Sequence, residues 1–221
     1  MTAGTGAAKA DTSSAHATRI AEWAVRMLAD PGRRPAAVAH PLGFLCFPLS
    51  SRETALGVCV HVWLPQLPPG DLLTTPIHAH SWDLLSYILV GSVGNERVRT
   101  TRAPAAEASH RIYRVHSSDG GDEVLPTDEF VHCEREAPRY AGAGQTYRLP
   151  GGQFHATAVA DGTAAATVLI AKRLPGGRDR ALGPVRVPPP GVSPAAPRRA
   201  ADPGLSSLAL EILLDQIPIP R

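Results

Sequence analysis

Short apolar runs rich in β-branched residues, separated by Pro, Gly, Asn and Asp, occupy the chain from about residue 43 to residue 170. Examples are Gly57–Trp63, Leu84–Val90 and Ala165–Ile170. Branching at Cβ favours extended backbone, and the intervening residue types favour turns. Because strand-length runs recur with no long helical pattern between them, this region predicts an all-β domain.

A helical pattern flanks this region on each side. Apolar residues recur at helical spacing over Ala17–Asp30 and again over Leu205–Ile217, which follows the helix start signal Asp202-Pro203. The second pattern is apolar on two stripes, so this helix needs two neighbours. One neighbour is the β domain, and the other is either a returning strap or a second subunit, which leaves a homodimer as one alternative.

Composition divides the chain into three parts. Residues 1–15 are mostly Ala, Gly, Ser and Thr without periodicity, which predicts a disordered tail. Residues 16–173 are predicted to form the β domain with its N-terminal helix. Residues 174–221 begin with a proline-rich stretch, which predicts an extended strap leading to the C-terminal helix.

Charge, hydropathy and cysteine content exclude several classes of protein. The formal net charge is +2 without a basic stripe, so nucleic acid is not an expected partner. No apolar run approaches the roughly 18 residues that span a bilayer, so no membrane association is expected. Cys46, Cys59 and Cys133 are an odd number without CxxC spacing, and no leader pattern opens the chain, which predicts a reducing, cytoplasmic setting. We interpret Cys46 and Cys59 as small buried apolar residues.

The first run with metal-binding character contains His78-Ala-His80. Side chains two apart in a strand lie on the same face, so the two imidazoles can share one ion. A pair of core histidines explains this spacing about equally well.

The second run is Gly144-Gln-Thr-Tyr-Arg-Leu-Pro150-Gly-Gly152-Gln-Phe-His155, which resembles the second motif of the cupin superfamily at each anchor position, although the usual terminal Asn is Val159. Pro and Gly make a tight turn that returns the chain and brings His155 opposite the histidine pair. The resemblance implies a single cupin jelly-roll β-barrel, here with an N-terminal and a C-terminal helix, and a metal site of His78, His80 and His155.

The first run resembles the first cupin motif less completely. It keeps the histidine pair and Gly91, but Leu84 replaces the glutamate. A three-histidine site is the interpretation we favour, and it is reminiscent of the thiol dioxygenase branch that includes cysteine dioxygenase. In this interpretation Asp83 is not a ligand but a candidate to accept a hydrogen bond from one of the imidazoles or to contact substrate. The alternative makes Asp83 a fourth ligand, which needs a bulge because a one-residue shift reverses the side chain's face.

Other residues are candidates for contact with a substrate or a ligand. His61 is either a core histidine or a residue that orients a ligand or touches substrate. Ser86 lies two residues after Leu84 in the strand, so Ser86 and not Tyr87 is expected to face the cavity. Tyr147 and Arg173 are candidates to supply a phenol hydroxyl and a guanidinium near the mouth of the cavity. The insert of residues 92–143 is predicted to add hairpin strands, and its histidines have no partner at ligand spacing.

Three neutral imidazoles suit Fe(II). We therefore predict an Fe(II) oxygenase or dioxygenase that acts on a small anionic organic molecule with dioxygen. The branch's Ser-x-His-x-Tyr run is missing after His155, so cysteine itself is a doubtful substrate. The alternatives are a non-oxidative lyase or isomerase that uses Zn, Ni or Mn, and a non-catalytic small-molecule-binding protein.

Overall fold

The computed structural model describes residues 12–50, 54, 56–67, 70, 72–118, 121–186, 195–196 and 199–217. In these described residues, two helices and fifteen strands follow one another. Their bounds are α1 Thr12–Ala29, β1 Val38–His40, β2 Phe44–Pro48, β3 Leu56–Trp63, β4 His78–Ala79, β5 Trp82–Val90, β6 Ser92–Arg102, β7 His110–Ser118, β8 Gly121–Arg135, β9 Arg139–Gly142, β10 Thr146–Leu149, β11 His155–Ala158, β12 Ala165–Arg173, β13 Asp179–Gly183, β14 Ala195–Ala196, β15 Arg199–Ala200 and α2 Pro203–Gln216.

The strands form two antiparallel sheets. The first sheet has seven strands in the order β10-β5-β12-β3-β2-β1-β15. The second has eight in the order β14-β8-β7-β13-β4-β11-β6-β9, and β8 also pairs with β6. This additional pairing closes β8, β7, β13, β4, β11 and β6 into a ring of six hydrogen-bonded strands.

An apolar cluster fills this strand ring. Each of the six strands contributes one buried residue to it, namely Ala79, Val98, Ile112, Val131, Ala156 and Leu182, and Ile77 and Phe154 join them. Side chains alternate across a strand, so the residues next to these in sequence point to the outer face of the ring. His78 and His155 are therefore on that outer face.

Both helices cover one face of the first sheet. Ala24 and Leu28 of α1 and Leu213 of α2 share a buried cluster with alternate residues of the sheet, among them Val60 and Val168. The intervening residues of the sheet, such as His61, point to its other face. That face meets the second sheet, because Ile88 and Ala165 of the first sheet pack with Val93 and Ala141 of the second. We call the region between these two faces the inter-sheet space.

The predicted all-β architecture with a helix near each end is confirmed. The pairings give two sheets with one closed ring, whereas a single closed barrel is not confirmed. The insert of residues 92–143 explains the difference, because its strands β7 and β8 complete the ring.

The two ends of the chain also differ in detail from the prediction. α1 begins at Thr12, inside the predicted tail, whose residues 1–11 lie outside the described part. β13 lies within the predicted strap and pairs with both β4 and β7, because alternation around Leu182 lets it join the ring core. The start of α2 is as predicted, since the Asp202 carboxylate accepts the Leu205 N–H at 3.1 Å.

Intrachain contacts cover both apolar stripes of α2. Ala209, Leu210 and Leu213 are buried in the apolar cluster between the helices and the first sheet, which we call the helix-covered cluster. Leu208 and Ile212 pack against it. The homodimer therefore stays a prediction. Within the described residues, no helix combines the length and the apolar character that a membrane span requires.

Loss of the Leu182 side chain tests the ring core. Leu182 is 0% exposed, so Leu182→Ala is expected to lower the free energy of unfolding by about 2 to 5 kcal/mol through lost burial and a cavity. Leu56 is 55% exposed, and Leu56→Ala is the matched control with an expected change within about 0.5 kcal/mol. Urea unfolding of both variants measures this, and equal losses would contradict the assignment of Leu182 to the core.

Candidate metal centre

Strand pairing brings two of the three predicted ligands together. β11 pairs with β4 so that His155 lies directly opposite His78. Residues paired in this way have side chains on the same face, about 5 Å apart at Cβ. His80 follows β4 two residues after His78, and its ring stacks edge-on against that of His78 with centroids 4.6 Å apart.

The predicted Pro-Gly turn contacts the histidine pair directly. Gly152, whose φ is 79°, donates its N–H to the His80 carbonyl at 2.7 Å. The neighbouring Gly151 donates its N–H to the Asp83 carboxylate at 2.8 Å. These two bonds join the turn before β11 to the segment after β4, which holds the three histidines in one register.

Backbone carbonyls orient two of the imidazoles. Nδ1 of His78 lies 2.9 Å from the Pro76 carbonyl, and Nδ1 of His155 lies 3.1 Å from the Gln153 carbonyl. A carbonyl only accepts, so each Nδ1 carries the proton and each Nε2 keeps a lone pair. This is the tautomer in which imidazole binds a metal through Nε2.

The distances between the nitrogens fit one shared ion. Nε2 of His78 and Nε2 of His80 are 3.1 Å apart, and the ligand atoms of the three histidines lie within 4.8 Å of one another. Metal–imidazole bonds are about 2.0 to 2.1 Å long, so two nitrogens on one ion lie about 2.9 to 3.4 Å apart. The Nε2 atoms of His78 and His80 therefore have the spacing of two ligands on one divalent cation, and His155 lies close enough to supply a third.

Burial keeps these histidines neutral. It lowers the pKa of His155 to about 3, with His78 contributing to the same direction. Burial, followed by the neighbouring His78 and His155, holds the pKa of His80 well below its usual range. Burial also lowers the pKa of His78, partly opposed by the Pro76 carbonyl and Asp179. Neutral imidazole is the form that binds metal.

The alternative fourth ligand does not reach this cluster. Asp83 is exposed, and its carboxylate accepts the Gly151 N–H instead of facing the histidines. Leu84, at the position of the missing glutamate, is 6% exposed and apolar. Among the described residues the cluster therefore contains three histidines and no carboxylate.

The remaining candidates divide between the two faces of the first sheet. Ser86 and Tyr147 are paired across β5 and β10 and face the inter-sheet space, as does His61. Tyr87 packs instead in the helix-covered cluster. Arg173 is exposed, with its guanidinium 4.4 Å from the centroid of the Trp82 ring.

Three residues near the site carry no signal in the sequence. Arg97 is paired directly opposite His155, and Asn95 lies two residues earlier on the same face of β6. Thr167 is paired opposite His61 in the first sheet and is fully buried. Their positions follow only from the register between strands that are far apart in the sequence.

Two cavities border the histidines. One of about 300 Å³ opens into the inter-sheet space, and its lining includes His78, Phe44, Trp63 and Thr157. Another of about 370 Å³ has His80 in its lining together with several arginines, Arg114, Arg178 and Arg180. A small molecule can therefore approach the cluster.

Comparisons with known proteins give a loose structural likeness. No family model matches the chain, and no curated protein matches its sequence. The polyketide cyclase RemF from Streptomyces resistomycificus is 15% identical, with a TM-score of 0.35, over 71% of this chain and 78% of that one. A cupin-like protein from Thermotoga maritima is 14% identical, with a TM-score of 0.36, over 65% of this chain and 78% of that one.

A third solved structure in these comparisons is the hydroxypropylphosphonic acid epoxidase from S. wedmorenis. It is 14% identical, with a TM-score of 0.36, over 65% of this chain and 56% of that one. At these values the likeness carries no argument about activity.

Metal binding should depend on His155. We expect His155→Ala to abolish Fe²⁺ binding at the three histidines, because two imidazoles leave an ion at this position without a third protein ligand. The matched control is His132→Ala, which removes an exposed histidine of the insert and should keep full occupancy. Isothermal titration with Fe²⁺ under reducing, anaerobic conditions measures this, and full Fe²⁺ occupancy in His155→Ala would refute the site.

Asp83 should matter for the turn and not for the metal. Asp83→Asn keeps an oxygen that accepts the Gly151 N–H, so metal affinity and the free energy of unfolding should both stay close to wild type. Asp83→Ala removes the acceptor and is expected to cost about 0.5 to 1.5 kcal/mol of stability. Metal titration and urea unfolding check the two variants. A loss of affinity above about a hundredfold in Asp83→Asn would instead indicate direct ligation.

Proposed function

We propose that this chain is a cupin-type metal enzyme in which His78, His80 and His155 hold Fe(II), and that it oxidises a small anionic organic molecule with dioxygen. The observation that carries the proposal is the set of three neutral imidazoles, with Nε2 atoms of His78 and His80 at 3.1 Å. Bound iron would supply Lewis acidity and electrons for the reduction of dioxygen.

The neutral ligand set favours an anionic substrate. Three imidazoles add no negative charge, so a bound divalent ion would keep its full charge of +2. Protein ligands at three positions leave others open for a chelating thiolate, enolate or carboxylate together with dioxygen. This ligand set is also what makes the thiol dioxygenase branch the nearest chemical analogy.

Arg97 supports the same choice of substrate. Arg97 is half-buried in β6, directly opposite His155 of β11, and the two side chains lie on the same face of the sheet. No described carboxylate forms an ion pair with Arg97. A guanidinium binds carboxylates through paired N–H donors. Arg97 would orient an acidic group of the substrate next to the histidines.

Buried polar side chains favour a polar ligand in the inter-sheet space. The hydroxyls of Ser86 and Thr167 and the amide of Asn95 have no hydrogen-bond partner among the described residues. Leaving such a group unpaired costs about 1 to 3 kcal/mol. The Tyr147 hydroxyl lies beside Ser86 and Asn95 in the same space, and burial raises the pKa of Tyr147, which keeps the phenol protonated. Tyr147 would donate a hydrogen bond to the substrate.

Aromatic residues line the cavity and limit the size of the ligand. Phe44 and Trp63 have ring centroids 5.2 Å apart and line the cavity that reaches His78. The cavity volume of about 300 Å³ suits a small molecule. The proposed substrate class is therefore a small organic anion with apolar and polar parts.

Oxygen consumption should require the substrate. Fe(II)-loaded protein is expected to be inert to oxygen alone and to consume it only with a small anionic ligand, because the ligand's charge offsets that of the neutral-histidine site. An oxygen electrode with a panel of thiols, diketones, and amino and keto acids measures this, with His155→Ala as the negative control. Silence across the panel with iron loaded, alongside turnover of a panel member with Zn or Ni loaded, would overturn the oxygenase proposal in favour of a lyase or isomerase.

A second variant separates substrate binding from metal binding. Arg97→Gln should retain iron and need a higher concentration of any active ligand for half-maximal oxygen consumption. Arg102→Gln, at the exposed end of the same strand, is the matched control and should behave like wild type. Equal ligand requirements in the two variants would remove Arg97 from the site.

A further inference from the structure

A second group of potential metal ligands lies on the inner face of the first sheet. Cys46 of β2 is paired directly opposite His61 of β3, and Cys59 lies two residues before His61 on the same face. Sγ of Cys59 and Nε2 of His61 are 3.2 Å apart, and one ligand atom from each of the three residues lies within 4.8 Å of the others. Two thiols and one imidazole thus converge on one point.

Aromatic contacts hold the imidazole in this group. The Phe44 ring lies 4.3 Å from that of His61 at an angle of 33°, and Trp63 meets His61 edge-on at 6.0 Å. The His40 ring in turn stacks on Phe44, with centroids 4.2 Å apart. A ring packed in this way loses little conformational freedom when it binds an ion, which is the condition for a preorganised site.

Burial as small apolar residues does not explain this arrangement. Cys46, Cys59 and His61 are all half-buried, whereas Val60 and Val62, which alternate with them, are fully buried under the helices. Solvent access lets an ion enter and lets the thiols lose their protons to it. The three side chains are therefore accessible to an ion from solvent.

We propose that Cys46, Cys59 and His61 form a second metal site, which binds a thiophilic d¹⁰ cation such as Zn²⁺ or Cu⁺. Thiolates and imidazole are the donors that select these cations over Mg²⁺ and Ca²⁺. The three-histidine cluster contains no thiol, so the two sites differ in the softness of their ligands. The proposal does not depend on the oxygenase function.

The distances fit such an ion after small side-chain rotations. Bonds from Zn²⁺ are about 2.3 Å to sulfur and 2.0 to 2.1 Å to nitrogen, which places tetrahedral ligand atoms about 3.5 to 3.8 Å apart. The described residues supply three protein ligands here, which leaves a fourth position for water or a small ligand. Three protein ligands with one open position are typical of reactive zinc sites, whereas closed structural sites have four protein ligands.

Cobalt spectroscopy on the full-length protein tests the proposal. Co²⁺ takes the geometry of Zn²⁺, and bound thiolates give an intense near-ultraviolet charge-transfer absorption that a three-imidazole site cannot produce. With a phosphine reductant present, we expect one thiolate-bound Co²⁺ per chain in both wild type and His155→Ala. Zn²⁺ should displace it, and X-ray absorption of Zn-loaded His155→Ala should show two sulfur neighbours and one nitrogen neighbour from the protein.

Single variants assign the signal. Cys46→Ser and Cys59→Ser should each weaken Zn²⁺ binding at this site more than about a hundredfold, beyond the effect of an outer-shell partner. The matched control is Cys133→Ser, which removes a half-buried thiol 3.2 Å from Nδ1 of His110 and should leave the absorption intact. Circular dichroism establishes that each variant is folded.

Several outcomes would overturn the proposal. The first is the absence of charge-transfer absorption from cobalt-saturated wild type, which needs no variant. Others are an absorption that persists in folded Cys46→Ser and Cys59→Ser, or one that disappears in Cys133→Ser. An absorption lost only in His155→Ala would assign the thiolates to the three-histidine centre instead of a separate site. Failure of the oxygen-consumption assay would leave this second site unaffected.

Discussion

The antiparallel pairing of β11 with β4 places His155 directly opposite His78, and the geometry of the candidate centre depends on this register. A slip of one residue would turn His155 into the ring core and bring the apolar Phe154 or Ala156 to the outer face. The bond from the Gly152 N–H to the His80 carbonyl fixes the turn against the histidine segment. A backbone contact therefore determines where the three imidazoles meet.

Burial of these imidazoles has an electrostatic consequence. Low solvent access disfavours the cationic form of each ring. The three imidazoles therefore stay neutral, and each keeps a nitrogen lone pair available for a metal ion. The carbonyls of Pro76 and Gln153 accept the Nδ1 protons and so compensate part of the lost hydration. The three imidazoles are thus an uncharged set of ligands for a cation.

The layered arrangement explains why polar side chains can occupy the inter-sheet space. The first sheet packs its other face against both helices, and the strand ring has an apolar core of its own. Most of the apolar burial therefore lies outside the inter-sheet space, and its two faces need not be entirely apolar. The imidazoles lie on one face, and the cluster of Cys46, Cys59 and His61 lies on the other.

Local patterns in the sequence predicted much of the scaffold. Alternation placed His78 and His80 on one face, the Pro150-Gly151-Gly152 turn predicted the return of His155, and helical spacing predicted both helices. Each of these features depends on residues close together in the chain, where geometry follows from residue type and spacing. Parity also predicted Ser86 as the inward-facing neighbour of Tyr87.

Tertiary structure decided how the strands combine. Sequence determined which residues of each strand share a face, but the pairing of Arg97 with His155 and of Cys46 with His61 depends on registers that no local pattern contains. The same holds for the ring that β13 and the insert complete. Pairing between distant strands is chosen by the total packing of both faces, and that free energy is a property of the whole fold and not of any one segment.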